Sequence, residues 1–197
     1  MKKTKDIILD KAYSLFLEKG YDAVSISMIQ KEAEIGRATM YHHFSSKRDL
    51  FLAAVAKSLT AYDIETDFSK FKGLLLSDYI KLDIQQAKQL LEHSDLSEHI
   101  GMLNHFILFF KAMELEPDYT KIADRIHSRI LEIWKFIIKN SISQGEVRQD
   151  IDIEKSAKLF MDARHGINMN SMHNTSMMEN INKIKEMYEF VFTLIKS

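Results

Sequence analysis

Cysteine is absent from the 197 residues, which excludes a disulfide framework, thiol nucleophiles and thiolate metal ligands. One proline and six glycines leave little to interrupt helices. No apolar run is long enough to cross a bilayer. The richest segments, around Phe106 to Phe110 and Ile130 to Ile138, are too short or too broken by charge, so no membrane partner is expected. The opening Met-Lys-Lys-Thr-Lys-Asp has the charge of a secretory leader, but no long uncharged apolar run follows it. With no cysteine, this fits a reducing, cytoplasmic setting. Catalytic signatures are missing as well. There is no Gly-x-Ser-x-Gly, His-Glu-x-x-His or glycine-rich phosphate loop, and no carboxylate pair stands out, so an enzyme is not expected. Nor is a metal or cofactor. The histidines are scattered, and the adjacent His42 and His43 would point about 100° apart on a helix, too divergent to share an ion.

What is present is helical and uneven in charge. Residues 1–48 hold nine Lys/Arg against six Asp/Glu, a net of +3, and the remainder holds eighteen against twenty-two, a net of −4. A mildly basic head on an acidic body suits a protein that meets phosphate at one end. Within that head, Ser25-Ile26-Ser27-Met28-Ile29-Gln30-Lys31-Glu32-Ala33 reads as one short helix. Arg37-Ala38-Thr39-Met40-Tyr41-His42-His43-Phe44 reads as a second, before Ser45-Ser46 breaks the chain. Two short helices joined by a tight turn form a helix-turn-helix, whose second helix enters the major groove of DNA.

The periodicity predicts an all-α chain. A first helix over 4–19 has apolar positions Ile8, Ala12, Leu15 and Phe16, Thr4 as its cap and Gly20 as its stop. The helix-turn-helix follows, with Ile26, Ile29, Ala33, Met40 and Phe44 inward, and a linking helix runs over about 46–67. Further helices are expected over about 71–92, 96–115, 117–144, 152–172 and 178–196, with Pro117 in a first turn and a polar break at His173-Asn174-Thr175-Ser176. The division expected is a DNA-binding domain over 1–63 and an effector-binding and dimerisation domain over 64–197. The last helix carries two apolar stripes: Ile181, Ile184, Tyr188, Val191 and Ile195, and then Met187, Phe190 and Leu194. A helix apolar on two sides needs cover on two sides, and a second copy of the chain can supply one. Ile184, Tyr188, Val191 and Ile195 are taken as the dimer stripe.

Residues 4–55 resemble the TetR family of bacterial transcriptional regulators. The matching words are Ile8-Leu9-Asp10, Leu15-Phe16-Leu17-Glu18-Lys19-Gly20-Tyr21, Ser25-Ile26 and Thr39-Met40-Tyr41-His42-His43-Phe44 with Lys47 and Leu50-Phe51. Gly145-Glu146-Val147-Arg148-Gln149-Asp150-Ile151-Asp152 resembles a turn in that family's second domain. The resemblance implies an all-helical homodimer, with DNA-binding heads and a C-terminal domain that holds a small-molecule pocket and the dimer interface. It also implies repression at a palindromic operator until an effector releases the protein. Two positions depart from the pattern. Glu34 stands where a turn glycine is usual, and Gly36 stands where Ser or Thr usually caps the recognition helix.

The DNA-contacting set expected is Ser25, Gly36, Arg37, Ala38, Thr39, Tyr41, His42, His43 and Lys47, with Lys2, Lys3 and Lys5 as a loose basic arm. Arg37 can reach a guanine edge or a phosphate. Ala38 allows close approach, and the hydroxyls of Thr39 and Tyr41 suit phosphate oxygens. For the effector, the aromatic and methionine density of the body suggests an apolar cavity lined by Tyr79, Met102, His105, Phe106, Phe109, Phe110, Trp134, Met161 and His165. Met113, Ile130, Ile133 and Ile137 stand beside them. Asn104, Arg164 and Asn168 could serve as polar anchors. The linking fourth helix is the expected lever between ligand and DNA. The competing reading is a helical small-molecule-binding or scaffold protein without effector-controlled DNA binding.

Overall fold

The first helix, α1 (Thr4–Lys19), buries Ile8, Ala12, Phe16 and Leu17 along one face and stops at Gly20, whose positive φ of 79° a side chain would resist. Tyr21, just beyond, stacks on Phe16 and meets Phe51 edge-on at 4.6 Å. The cap is Lys3 rather than Thr4, and no side chain bonds the exposed amides there. Ser25 does cap α2 (Ile26–Glu32), its hydroxyl accepting from the Met28 amide at 3.2 Å. Next come α3 (Arg37–His43) and α4 (Lys47–Thr60), the latter capped by Ser46, whose hydroxyl accepts from the Asp49 amide.

The computed structural model describes residues 3–60, 68–92, 102–170 and 176–197. The later part of the linking helix (61–67), the Leu96 start, the last two residues of the helix expected over 152–172 and residues 173–175 of the polar break lie outside the described residues, as do Lys2 and the Met102 side chain. A 3-10 turn (Phe68–Phe71) precedes α5 (Leu76–Glu92), followed by α6 (Met102–Leu115), α7 (Tyr119–Ser143), α8 (Ile153–Asn170) and α9 (Met177–Ile195). Pro117 sits ahead of the first turn of α7 rather than in it. The one β-type pairing among the described residues is a single bridge, Val147 with Lys196.

The chain divides into two compact units, Met1–Ile64 with Met102–Asp124, and Glu65–Gly101 with Arg125–Ser197. The division expected at residue 63 therefore leaves out a feature of the head unit: α6 and the start of α7 belong to it. The reason is visible at the side chains. Leu108 and Ala112 are buried, the Asn104 amide donates to the Leu17 carbonyl at 2.7 Å, and His105 Nδ1 bonds the Tyr13 hydroxyl at 2.9 Å. Arg48 donates to the Leu115 carbonyl and pairs with Glu116, satisfying the carbonyl end of α6. The Tyr119 hydroxyl donates to the Leu52 carbonyl.

The body unit is built round an aromatic core. Trp134 lies parallel to Phe160 at 4.7 Å, and Tyr79 and Tyr188 meet it edge-on at 4.8 and 5.2 Å. The Gly145–Asp152 turn is a joint of this unit. Val147 is buried, Glu146 and Ser141 both accept from the Leu76 amide at the start of α5, and the Arg148 amide donates to the Ile195 carbonyl.

Candidate nucleic-acid interface

Recognition helix α3 is fixed from behind and open in front. Met40 and Phe44 are buried, while Arg37, Ala38, Tyr41 and His42 face solvent from the next positions round the helix. The period of 3.6 separates the two sets, so anchoring does not compete with contact. Tyr41 is 48% exposed, and the Arg37 guanidinium lies 5.6 Å from its ring centroid. That stacking holds an otherwise flexible cation on the outer face of the helix. Thr39 is half-buried between these sets.

The flanking residues are more tightly held than a list of DNA contacts suggests. Ser25 spends its hydroxyl on the α2 cap and on Ser27 Oγ at 2.9 Å. Lys47 donates to the Asp22 carbonyl at 3.2 Å, with its ammonium 4.4 Å from the Tyr21 ring centroid, so it ties α4 to the turn after α1. His43 is half-buried and meets His42 edge-on at 5.0 Å. Lys3 and Lys5 do not form a loose arm. Lys3 caps α1, and the Lys5 ammonium lies 5.7 Å from the Phe44 ring. The departures from the family pattern have local consequences too. Glu34 adopts φ 53°, the left-handed region glycine favours. Gly36 caps α3 with no side-chain bond, at an ordinary φ of −74° and with nothing within 4 Å of where a Cβ would stand. Asp49 was not visible as functional from its sequence surroundings. Its carboxylate accepts from the Ser45 amide at 2.9 Å and hydroxyl at 3.2 Å, closing the α3–α4 turn.

The residues expected to line an effector cavity separate. Tyr79, Trp134 and Met161 are packed core residues of the body unit, not walls of an open cavity. Phe106, Phe109 and Phe110 stand on α6 in the head unit, Phe106 and Phe110 stacked at 6.5 Å and Phe110 exposed. His105, also on α6, is held below the usual histidine range by burial. Asn104 is spent on the Leu17 carbonyl, and Asn168 accepts from the Asn180 amide within the core. His165 lies at the body unit's surface, its ring 6.0 Å from that of His127. A groove of about 340 Å³ in the body unit is lined instead by Ile80, Lys81, Ile84, Gln85, Lys88, Lys185 and Glu189, none of which the periodicity singles out. The dimer stripe also needs correction. Ile184, Tyr188, Val191 and Ile195 are covered by their own chain, because α9 turns that stripe into the aromatic core. The stripe left open is the other one: Met187, Phe190 and Leu194 are 39%, 58% and 51% exposed.

A solvent-facing second helix in a helix-turn-helix, on a chain whose described elements are helices, is the arrangement that docks in the major groove of DNA. Residues 8–54 match the family described as "Bacterial regulatory proteins, tetR family". The HTH-type transcriptional regulator YdeS of Bacillus subtilis is 28% identical over 80% of this chain and 74% of its own. Over the head alone, 51 residues are 43% identical to IcaR of Staphylococcus aureus, the negative transcriptional regulator of the icaADBC biofilm operon; they span 26% of this chain and 27% of IcaR. A TetR-family regulator from Mesorhizobium loti superposes with a TM-score of 0.71 at 18% identity, over 98% of this chain and 97% of its own. The helix-turn-helix head belongs to the TetR family, and the whole chain has that family's fold. The protein is a regulator rather than an enzyme.

Proposed function

We propose that this regulator is a homodimeric repressor which occupies a palindromic operator in the cytoplasm and is released by a small, largely apolar effector. The observation that carries the DNA half of this reading is the open face of α3, where Arg37, Ala38, Tyr41 and His42 are presented together while Met40 and Phe44 lock the helix to the head. Repression is favoured because IcaR, similar over the head, is a negative regulator.

The dimer is supported by apolar surface on two neighbouring helices. On α9 it is Met187, Phe190 and Leu194, and on α8 it is Leu159 and Met169. Gly166 stands mid-helix between Leu159 and Met169 with nothing near the position of a Cβ, so packing within the chain does not require it. A mid-helix glycine costs about 1 kcal/mol relative to alanine, a cost that close approach of a partner helix would offset. Two such pairs make a four-helix bundle. Within the head unit, the Asn104, His105 and Arg48 bonds give α6 a grip on α1 and α4, so displacing α6 would disturb the packing of the helices behind the helix-turn-helix.

Selection from random DNA duplexes with the full-length protein, followed by light scattering of the complex, tests the reading. A two-fold symmetric site bound by two chains is expected. A bound monomer, or no enriched sequence, overturns it. The scaffold alternative predicts no sequence preference at all.

A further inference from the structure

Helix α5 carries two kinds of surface side by side. Ile80 and Ile84, one turn apart, close against the body core, and Lys81, Gln85 and Lys88 recur beside them at i, i+4 and i+7. Across from this flank, α9 presents Lys185 and Glu189, and the groove of about 340 Å³ lies between the two helices. Its floor is Ile80 and Ile84, and its rim holds three ammonium groups and one carboxylate. That volume falls at the lower end of the roughly 300–1,000 Å³ typical of small-molecule sites. The charge of the rim runs against its surroundings: residues 49–197 carry a net of −4, whereas the lining carries +2. Two of the three ammonium groups have partners, Lys81 with Asp78 at 2.9 Å and Lys185 with Glu189 at 3.6 Å. Lys88 is different. It is half-buried, and among the described residues it meets no carboxylate. On α9, Met187, Phe190 and Leu194 stand about 140–180° round the helix from Lys185, so self-association through that stripe leaves the groove open.

We propose that this groove binds a free amphipathic organic anion, with its tail on Ile80 and Ile84 and its carboxylate on Lys88. This rests on the reading of the protein as effector-controlled and gives that effector a charge. Charge complementarity decides for an anion over a cation. The one carboxylate of the lining, Glu189, is already held by Lys185, whereas the ammonium of Lys88 has no counter-ion. An anion arriving there gains a charge-assisted hydrogen bond at no cost to an existing pair. The Gln85 amide stands three residues before Lys88 on the same flank and can donate to the second carboxylate oxygen. The apolar floor then selects for a tail, since a small inorganic anion would leave it uncovered. A ligand seated between α5 and α9 presses on the helix that also carries the open stripe Met187, Phe190 and Leu194, which gives it a route to the pairing of two chains.

The full-length protein is titrated calorimetrically with butyrate, octanoate, 1-octanol and octylamine, each below the concentration at which it self-associates. Octanoate should bind about tenfold or more tighter than butyrate, because the further methylenes find apolar cover. It should also bind about fivefold or more tighter than octanol, as expected for a charge-assisted contact at a half-buried site. In Lys88→Gln the affinity for octanoate should fall to that for octanol, with octanol unmoved. Gln85→Glu, which puts a carboxylate at an exposed position of the rim, should weaken octanoate several-fold and again leave octanol unmoved. Lys139→Gln, at an exposed lysine of α7 outside the groove, should change nothing. The proposal is overturned if octanoate binds no tighter than octanol or butyrate, if octylamine binds tighter, if Lys88→Gln weakens octanoate and octanol equally, or if octanoate gives no saturable heat. Binding to phosphatidylglycerol vesicles in place of free octanoate would make the groove a membrane contact and overturn it too. So would loss of self-association in Lys88→Gln, which would seat a second copy there. Operator binding is measured separately. If octanoate binds with the expected variant pattern but leaves operator affinity unchanged, the site stands and the effector reading fails. If octanoate does not bind and another compound releases DNA equally from the unaltered protein and Lys88→Gln, the effector reading stands and this proposal fails.

Discussion

Glu34 shows at the scale of one residue how a local penalty and a functional charge coincide. Its φ of 53° costs an L-residue about 1–2 kcal/mol relative to glycine, and it adds a negative charge in the turn between α2 and α3. Glu34→Gly should therefore raise the stability of the head by about 1 kcal/mol, read as a shift in denaturant midpoint, and also tighten DNA binding at low salt. A loss of stability would mean that the Glu34 side chain makes compensating contacts. Arg37 permits a sharper division. If it reads a base, Arg37→Ala should cost about 1–3 kcal/mol on the selected operator and much less on random duplex. Equal losses on both would make it a phosphate contact. Tyr41→Phe should weaken both duplexes alike, since a phosphate hydrogen bond carries no base information.

At the scale of elements, α6 gives a pH dependence with a definite sign. His105 is depressed by burial, so protonation favours the unfolded head. Stability should be full above the ordinary histidine range and fall as the pH drops through it, and in His105→Gln this part of the pH dependence should disappear. An unchanged profile in the variant would remove His105 from the account. The helices themselves were legible in the sequence because caps and stops such as Ser25, Gly20 and Gly145 act locally and the 3.6-residue period is strong. The recognition helix was legible for the same reason: anchors Met40 and Phe44 alternate with exposed Arg37 and Tyr41. Partnership was not. Both stripes of α9 are apolar, and periodicity cannot say which faces the core. The aromatic packing of Tyr188 on Trp134 and Phe160 decides it. Likewise nothing in the composition of α6 shows that Asn104 and His105 bond α1, because those contacts join residues far apart in sequence.

At the scale of the whole molecule, the two α9 stripes predict opposite phenotypes. Ile184→Asp places an unpaired charge in the body core and should destabilise folding by about 3–5 kcal/mol, visible as a lowered melting temperature. Phe190→Glu places its charge on an exposed position, so the chain should keep its fold and lose its self-association. If both variants stay dimeric and folded, the open stripe is not the interface. Hydroxyl-radical footprinting of the selected operator shows whether α3 reads DNA from a dimer with two-fold symmetry. Two protected half-sites related by a dyad, centred about 34–36 Å apart along the duplex, are expected, with protection lost in Arg37→Ala. A single asymmetric footprint, or one that Arg37→Ala leaves intact, would contradict that arrangement.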